Sequence, residues 1–363
     1  MKQLLLAGAG HANLHIIKEW KQNPIPDTAL TVVSPSPYQY YSGMFSSFTE
    51  GIYNMEDIRI DVKALTEEAG GTFLQEAIMS VDGSQKIVLT DQGKVFGYDA
   101  VSFDIGSLTA HTELPGVKEH AKRIKPNYHF PEMIEEMRNS TNPVIVGGGI
   151  AGTEMALSLQ AYRRRHGQKG WVSLITSSDR LLAQQSNRVS NKIEEITEEA
   201  GINLYVDQQV KSIDKQAIWT NRNEAIPYDD VLWLTGPKAP DLFRVSNLPI
   251  DKDGYLQVES TLQVKDYPSI FGAGDCITLS NAPNLPKNGV FAIREAPILW
   301  ENIRGFLTTG DGRHYKPQQR YLSIMSIGNY TGFLMYGDIV LKGKWAWKWK
   351  HHIDTTFIQS YQF

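Results

Sequence analysis

The chain has 363 residues and a single cysteine, Cys276. One thiol cannot form an intrachain disulfide or a dithiol electron shuttle, which excludes a large class of redox mechanisms. An excess of one charge is also missing: 36 Lys and Arg oppose 40 Asp and Glu, for a net charge of −4. Such a balance gives no overall attraction for nucleic acid, and no Cys/His spacing suggests a zinc module. Neither a nucleic-acid partner nor a metal is therefore expected. Long apolar runs are absent too, and none approaches the roughly 20 residues of a membrane-spanning helix. The opening MKQLLLAGAG has too short an apolar part for a secretory leader, whose core takes about 7–15 residues, and reads as a first strand.

What is present is length beyond one hydrophobic core, which implies two or three domains, and one device used twice. VIVGGGIAGTEMALSL is an apolar strand entering a glycine turn and leaving as a helix. In Gly147-x-Gly149-x-x-Gly152 the first glycine allows the tight turn and the second lets a pyrophosphate approach the backbone. The third lets helix and strand pack closely. The helix, opening at Ile150, turns unpaired N–H groups and the positive end of its dipole toward the phosphates. LLLAGAGHANLHII repeats the shape 139 positions earlier as Gly8-x-Gly10-x-x-Asn13, its helix opening at His11 and Ala12. Asn in the third place requires the helix to stand slightly off its strand or the side chain to bond something nearby. Two such turns suggest two dinucleotides side by side, the arrangement that passes a hydride from a nicotinamide to a flavin.

Around the turns the pattern is strand and helix in alternation. The first helix runs to about Lys21, NPIPD breaks it, and ALTVVS is the next strand; the second helix ends near AYRRRHG and is followed by the strand WVSLIT. Three Arg and a His at a helix C-terminus suit the dipole, so that cluster reads as a solvated helix end.

The segment SIFGAGDC resembles the second FAD motif of the two-dinucleotide-binding-domain flavoprotein reductases, the pyridine nucleotide-disulfide oxidoreductase superfamily. FDIGS, with Gly106 and Ser107, and WLTGPKAP, with Gly236, resemble the two Ala-Thr-Gly crossings of that superfamily, with altered residues. Within it the chain is most similar to the type II NADH:quinone and sulfide:quinone reductase branch. SPSPYQYYSGM, PKNGVFAIREAPIL and WAWKWKHHID also resemble the reductase-like domain fused in some organisms to selenophosphate synthetase. The resemblance covers essentially the whole chain. It implies an α/β fold of two Rossmann-like domains: FAD on residues 1–110 and 245–315, NAD(P)H on 111–244, and a C-terminal acceptor or interface segment at 316–363. It also implies that Asp275, beside Gly274, binds the flavin ribityl chain, and that Glu154 faces nicotinamide and flavin. Glu154 reads equally as an exposed Glu favoured by the helix dipole.

A reduced flavin gathers negative charge near N1 and the C2 carbonyl, which a helix N-terminus stabilises. Asn288 as N-cap, Gly289 and Val290 open such a helix, and Lys287 just outside it would add positive charge or stand as a loop lysine. The strand that ordinarily ends in a ribose-binding carboxylate ends here in Ser34 at the first site. At the second it ends in Thr176, followed by Ser177, Ser178, Asp179 and Arg180. Hydroxyls and Arg180 in place of the carboxylate lean toward NADPH, while Asp179 keeps NADH open.

With Cys276 read as a small buried residue, electrons must leave the flavin directly, to a quinone-like acceptor, a protein carrier or oxygen. Val290 and Arg294 stand where the type II enzymes carry two Gln at the quinone. Arg294 suits a quinone oxygen, or a surface pairing with Glu295 or Glu301. Trp345, Trp347 and Trp349 among Lys342, Lys344, Lys348 and Lys350 suit a membrane surface, whereas their alternation suits a strand packed on the flavin domain. The expectation is a cytoplasmic FAD-dependent NAD(P)H:quinone-type oxidoreductase, resting through its tail at the inner face of the membrane. The alternatives are a reductase of a small redox protein and a slow-turnover flavin sensor.

Overall fold

A computed structural model describes residues 1–362. They divide into two units, each discontinuous in sequence: residues 1–39, 60–108 and 237–319 in the first, 40–59, 109–236 and 320–362 in the second.

The first unit is built on a six-stranded sheet. Its strands lie in the order Gln263–Val264, Tyr267–Gly272, Ala100–Phe103, Lys2–Ala7, Thr28–Val33 and Thr72–Leu74, all parallel except the first. Leu4, Leu5 and Leu6 form an unbroken apolar run because a central parallel strand is covered on both faces. Helix His11–Gln22 packs beside helix Gly289–Thr308, with Trp20 edge-on to Trp300 at 6.5 Å between centroids. A three-stranded antiparallel piece, Ile78–Asp82, Ile87–Thr90 and Val95–Gly97, completes the unit.

The second unit repeats that plan. Five parallel strands lie in the order Ala121–Arg123, Asp230–Trp233, Pro143–Val146, Ser173–Ile175 and Asn203–Tyr205. A three-stranded antiparallel piece spans Val210–Ile213, Ala217–Thr220 and Ala225–Pro227. Val144, Val146, Ile175, Val231 and Trp233 pack into one core, and Trp233 donates its indole N–H to the Ala110 carbonyl at 3.0 Å. The fold is thus α/β with two Rossmann-like sheets.

Two local expectations are corrected. Of the basic residues closing helix Ile150–Arg165, Arg164, Arg165 and His166 are exposed as a solvated end requires, but Arg163 is not. Arg163 is buried, its guanidinium donating to the Ser140 and Lys169 carbonyls and, at 2.8 Å, to that of Thr141. Arg165 meets the fully buried Glu50 at 2.6 Å, so the local carbonyls and one carboxylate outcompete water. The tryptophans are not on a strand either: after the hairpin Gly332–Tyr336 and Ile339–Gly343 they lie on helix Lys344–Gln359. Helical geometry turns Trp349 to within about 40° of Trp345 and Trp347 to the opposite side. Accordingly Trp347 is buried, stacked on His351 at 5.1 Å, while Trp345 and Trp349 are 48% and 45% exposed.

Candidate functional site

In the first unit the strand Lys2–Ala7 delivers Gly8 into a left-handed turn, with φ of 81°. A Cβ there would come within 2.5 Å of the Asp104 carbonyl oxygen, so the backbones of the turn and the neighbouring strand end are in direct contact. Asn13, which replaces the third glycine, bonds the strand. Its amide donates to the Ala7, Gly8 and Ser102 carbonyls at 3.2, 2.8 and 3.2 Å, and its oxygen accepts from the Ser102 hydroxyl at 2.7 Å. The side chain therefore takes the place of the close packing a glycine allows.

Asp104 faces the start of the same helix. Its carboxylate accepts from the Ala12 and Asn13 N–H groups at 2.7 and 3.2 Å, and a Cβ on Gly10 would stand 2.1 Å from its other oxygen. Burial, opposed by those two N–H groups, pushes Asp104 up to about 7. His11, half-buried beside these groups, is lowered by desolvation to about 4, and a Cβ on Gly289 would touch its ring at 3.6 Å. The first turn and the start of helix Gly289–Thr308 are thus neighbours.

The SIFGAGDC segment ends the strand Tyr267–Gly272 and turns through Gly274–Cys276. Ser107 donates to the Asp275 carboxylate at 3.3 Å, and the Gly274 N–H donates to Glu295 at 2.7 Å. Burial raises Glu295 to about 7. Cys276 is fully buried, its thiol directed at the Phe103 and Ala273 carbonyls, and burial pushes that thiol up. Asn288 caps the next helix by accepting from Val290 N–H at 3.1 Å. Lys287 is half-buried: its ammonium donates to the Ile277 carbonyl and, at 3.2 Å, to Thr278, and lies 4.2 Å from the centre of the Tyr255 ring. Burial lowers its pKa. Asp275, Lys287, Asn288, Phe291 and Glu295 line a cleft. Ser34 is buried at the end of strand Thr28–Val33, and Gly106, with φ of 68°, has open space where a Cβ would stand. Arg294 is exposed. Of its two proposed partners, Glu295 turns inward to Gly274 and Glu301 pairs with Arg313 at 2.8 Å.

In the second unit a Cβ on Gly152 would lie 1.8 Å from the Gly147 carbonyl oxygen, whereas one on Gly149 would meet nothing within 4 Å. The helix is pressed against its strand at one glycine and open at the other, the cradle a pyrophosphate needs. Gly236 is likewise open. Thr176 ends its strand, its hydroxyl accepting from Ser178 N–H at 3.2 Å. Arg180 lies 3.4 Å from the exposed Asp179 and donates to the Ala183 carbonyl at 3.2 Å.

Glu154 is not an exposed residue of its helix. Its Oε1 accepts from the Ser46 hydroxyl at 2.8 Å and from Ser326 N–H at 2.6 Å, and burial raises its pKa despite nearby Lys350. Lys350 is itself buried, donating to the Gly43 carbonyl and to Asp354 at 2.6 Å. Burial opposes its charge, but Asp354 and Glu154 together hold its pKa up. Sequence reasoning missed this cluster of Ser46, Glu154, Lys350 and Asp354. Its legible trace was the Lys350-x-x-x-Asp354 spacing, which puts both on one helix face. Among the described residues no Cys, His, Asp or Glu group is arranged to hold a metal.

Two sheets, one parallel and one parallel but for an edge strand, each with a central strand ending in a glycine turn that opens a helix, define a two-dinucleotide-binding-domain α/β protein. The chain belongs to the pyridine nucleotide-disulphide oxidoreductase family, whose model matches residues 2–296. It is an oxidoreductase, with FAD and a pyridine nucleotide as its cofactors. It is 22% identical to the NADH dehydrogenase-like protein YutJ of Bacillus subtilis over 97% of this chain and 99% of that one. It is 27% identical to the demethylphylloquinone reductase NdbB of Synechocystis over 66% and 64% of the two. Among solved structures, the sulfide:quinone oxidoreductase of Aquifex aeolicus superposes with a TM-score of 0.81 at 20% identity, over all of this chain and 92% of that one. NDH2 of Plasmodium falciparum, in complex with NADH, gives 0.83 at 16% identity, covering 100% and 98%.

Proposed function

We propose that the protein is an NAD(P)H:quinone-type oxidoreductase that works without a cysteine relay. Bound FAD would supply the chemistry, hydride acceptance from the nicotinamide and electron delivery to a quinone-like acceptor. The observation that carries the reading is the pairing of two glycine-turn units with a single thiol that is fully buried, which leaves no dithiol to relay electrons. The quinone reductases among the relatives support the choice of acceptor.

In this reading the first unit holds FAD. Gly8, Gly10, His11 and Ala12 meet its pyrophosphate, Ser34 the adenosine ribose, Gly106, Ser107, Gly274 and Asp275 the ribityl chain. Asn288, Gly289 and Val290 offer helix N–H groups to the flavin pyrimidine, with Lys287 adding positive charge. The second unit holds the nicotinamide dinucleotide on Gly147, Gly149, Ile150, Gly152 and Gly236. Arg180 and the hydroxyls after Thr176 favour a 2′-phosphate, hence NADPH over NADH. Glu154, held by Ser46 and Ser326, stands at the nicotinamide end, and Arg294 donates to the acceptor oxygen. Trp345, Trp349 and Ile353, exposed in one row beside Lys342, Lys344 and Lys348, suit an anionic membrane surface. The protein would thus work from the cytoplasm at the inner membrane face.

The test is anaerobic titration of the yellow protein with NADPH and, separately, NADH, followed by a soluble quinone. Bleaching of the oxidised flavin band and its return on quinone addition are expected. Bleaching with no return would refute the quinone acceptor, and no bleaching by either nucleotide would refute the hydride path.

A further inference from the structure

The two units carry an internal comparison. Asp104 N–H donates to the Ala7 carbonyl at 2.9 Å, and Leu234 N–H donates to the Val146 carbonyl at 2.8 Å. A Cβ on Gly8 would strike the Asp104 carbonyl oxygen at 2.5 Å, and one on Gly147 that of Leu234 at 2.2 Å. Asp104 and Leu234 therefore occupy the same place in the two copies, beside the glycine turn. One copy has an apolar side chain there and the other a carboxylate.

That carboxylate engages the donors the turn would offer an anion. Asp104 accepts through its backbone from Gly10 N–H at 3.1 Å, and through its side chain from Ala12 and Asn13 N–H. Its Oδ1 lies where a Cβ on Gly10 would come within 2.1 Å, or one on Gly274 within 2.8 Å, so it is enclosed between the two motifs. Other ionisable groups interact with it from the neighbouring segments: Asp275 and the Cys276 thiol on the Gly274 turn and Glu295 on the following helix, while His11 and Lys287 act on Asp275 in turn. With all three carboxylates ionised and His11 neutral, this pocket already holds more negative than positive charge before a pyrophosphate enters.

We propose that Asp104 makes FAD binding proton-linked: the carboxylate at the first glycine turn takes up a proton as the FAD pyrophosphate arrives, and flavin is released as the pH rises. The proposal rests on the reading of the Gly8–Gly10 turn as the FAD site. Asp104 in the free chain, raised to about 7 by burial, is poised to take that proton near neutrality. Bound phosphate raises it further. The protonated form is the one that binds, so affinity is level below the free-chain pKa and falls as the pH climbs from there toward the bound-state pKa. Asp104 acts here as a positioning residue for the cofactor.

The experiment equilibrates dilute holoprotein of the full chain at a series of pH values and reads released FAD by its fluorescence. The dissociation constant is expected to be level below about pH 7 and to rise by up to about tenfold per pH unit above it. Asp104→Asn keeps the volume and an accepting oxygen but cannot ionise, and is expected to abolish the rise. A rise that persists in Asp104→Asn overturns the proposal and moves the proton to His11 or Glu295. Should that variant fail to fold, protons can be counted on the unmodified chain, by mixing FAD with flavin-stripped protein in weak buffer containing a pH indicator. Uptake of about one proton per FAD near pH 8 is expected, and none overturns the proposal. A chain that binds no FAD at any pH removes the reading of the turn itself, whereas pH-independent affinity removes the proton linkage alone.

Discussion

Gly149 and Gly152 belong to one motif, yet alanine at each should act on a different property. At Gly152 the added methyl would sit 1.8 Å from the Gly147 carbonyl oxygen, where contacts under 3.0 Å essentially do not occur. The obstacle is backbone, so relief requires the helix to lift from its strand by more than an ångström. Overpacking of that size costs about 3 kcal/mol and should lower the thermal midpoint by roughly 5 °C or more. At Gly149 the backbone has φ of −79° and ψ of −177°, conformations open to any residue, and the methyl meets nothing within 4 Å. Gly149→Ala should leave stability unchanged or raise it by about 0.5 kcal/mol, through a less flexible unfolded chain. The methyl would nonetheless occupy the space a pyrophosphate needs, and nucleotide affinity should fall at least tenfold, or about 1.4 kcal/mol. Thermal unfolding by circular dichroism and NAD(P)H binding by fluorescence separate the two effects. Unchanged affinity in Gly149→Ala would refute the assignment of this turn to the phosphates, and an unchanged midpoint in Gly152→Ala would refute the packing argument.

Lys350→Met should destabilise the chain by about 3–5 kcal/mol in urea unfolding, because Asp354 and Glu154 lose the cation buried beside them. Adding Asp354→Leu should recover part of that loss. Trp345→Ala with Trp349→Ala should abolish cosedimentation with anionic vesicles while leaving stability within about 0.5 kcal/mol, since both side chains are largely exposed. Equal cosedimentation of the double variant would refute the tail as a lipid contact. Arg180→Ala should raise KM for NADPH by about tenfold with little change for NADH, and an equal effect on both would refute its role at a 2′-phosphate.

The strand, turn and helix of each unit were legible because each rests on local chemistry: apolar runs for central parallel strands, glycines for turns, Asn288 as a cap. Asn13 was legible as a question, and the four bonds of its side chain answer it. The tail was misread because buried Lys350 and Asp354 interrupt the apolar period that would mark a helix. Ala346, Trp347, Lys350, Asp354 and Ile358 recur at helical spacing only once burial is known. Two of the three arginines, Arg163 and Arg165, make contacts that were not legible, for a related reason. Their partners, Ser140, Thr141 and Glu50, are remote in sequence, and no local pattern announces a carbonyl or carboxylate brought in from another segment. Asp104 was visible only as an alteration of a familiar crossing, and the position of its carboxylate required the fold.

The order of segments in the first unit bears on how the protein is made. Strand Ala100–Phe103 pairs on one side with Lys2–Ala7, and on the other with Tyr267–Gly272, which leaves the ribosome about 160 residues later. At a synthesis rate of roughly 5–20 residues per second, the nascent chain carries that edge uncovered for about 8–30 seconds. The helix Gly289–Thr308, which packs beside the first helix, emerges later still. A nascent sheet with an open apolar edge invites pairing with other chains, so this half of the molecule is where a ribosome-associated chaperone would be needed during translation.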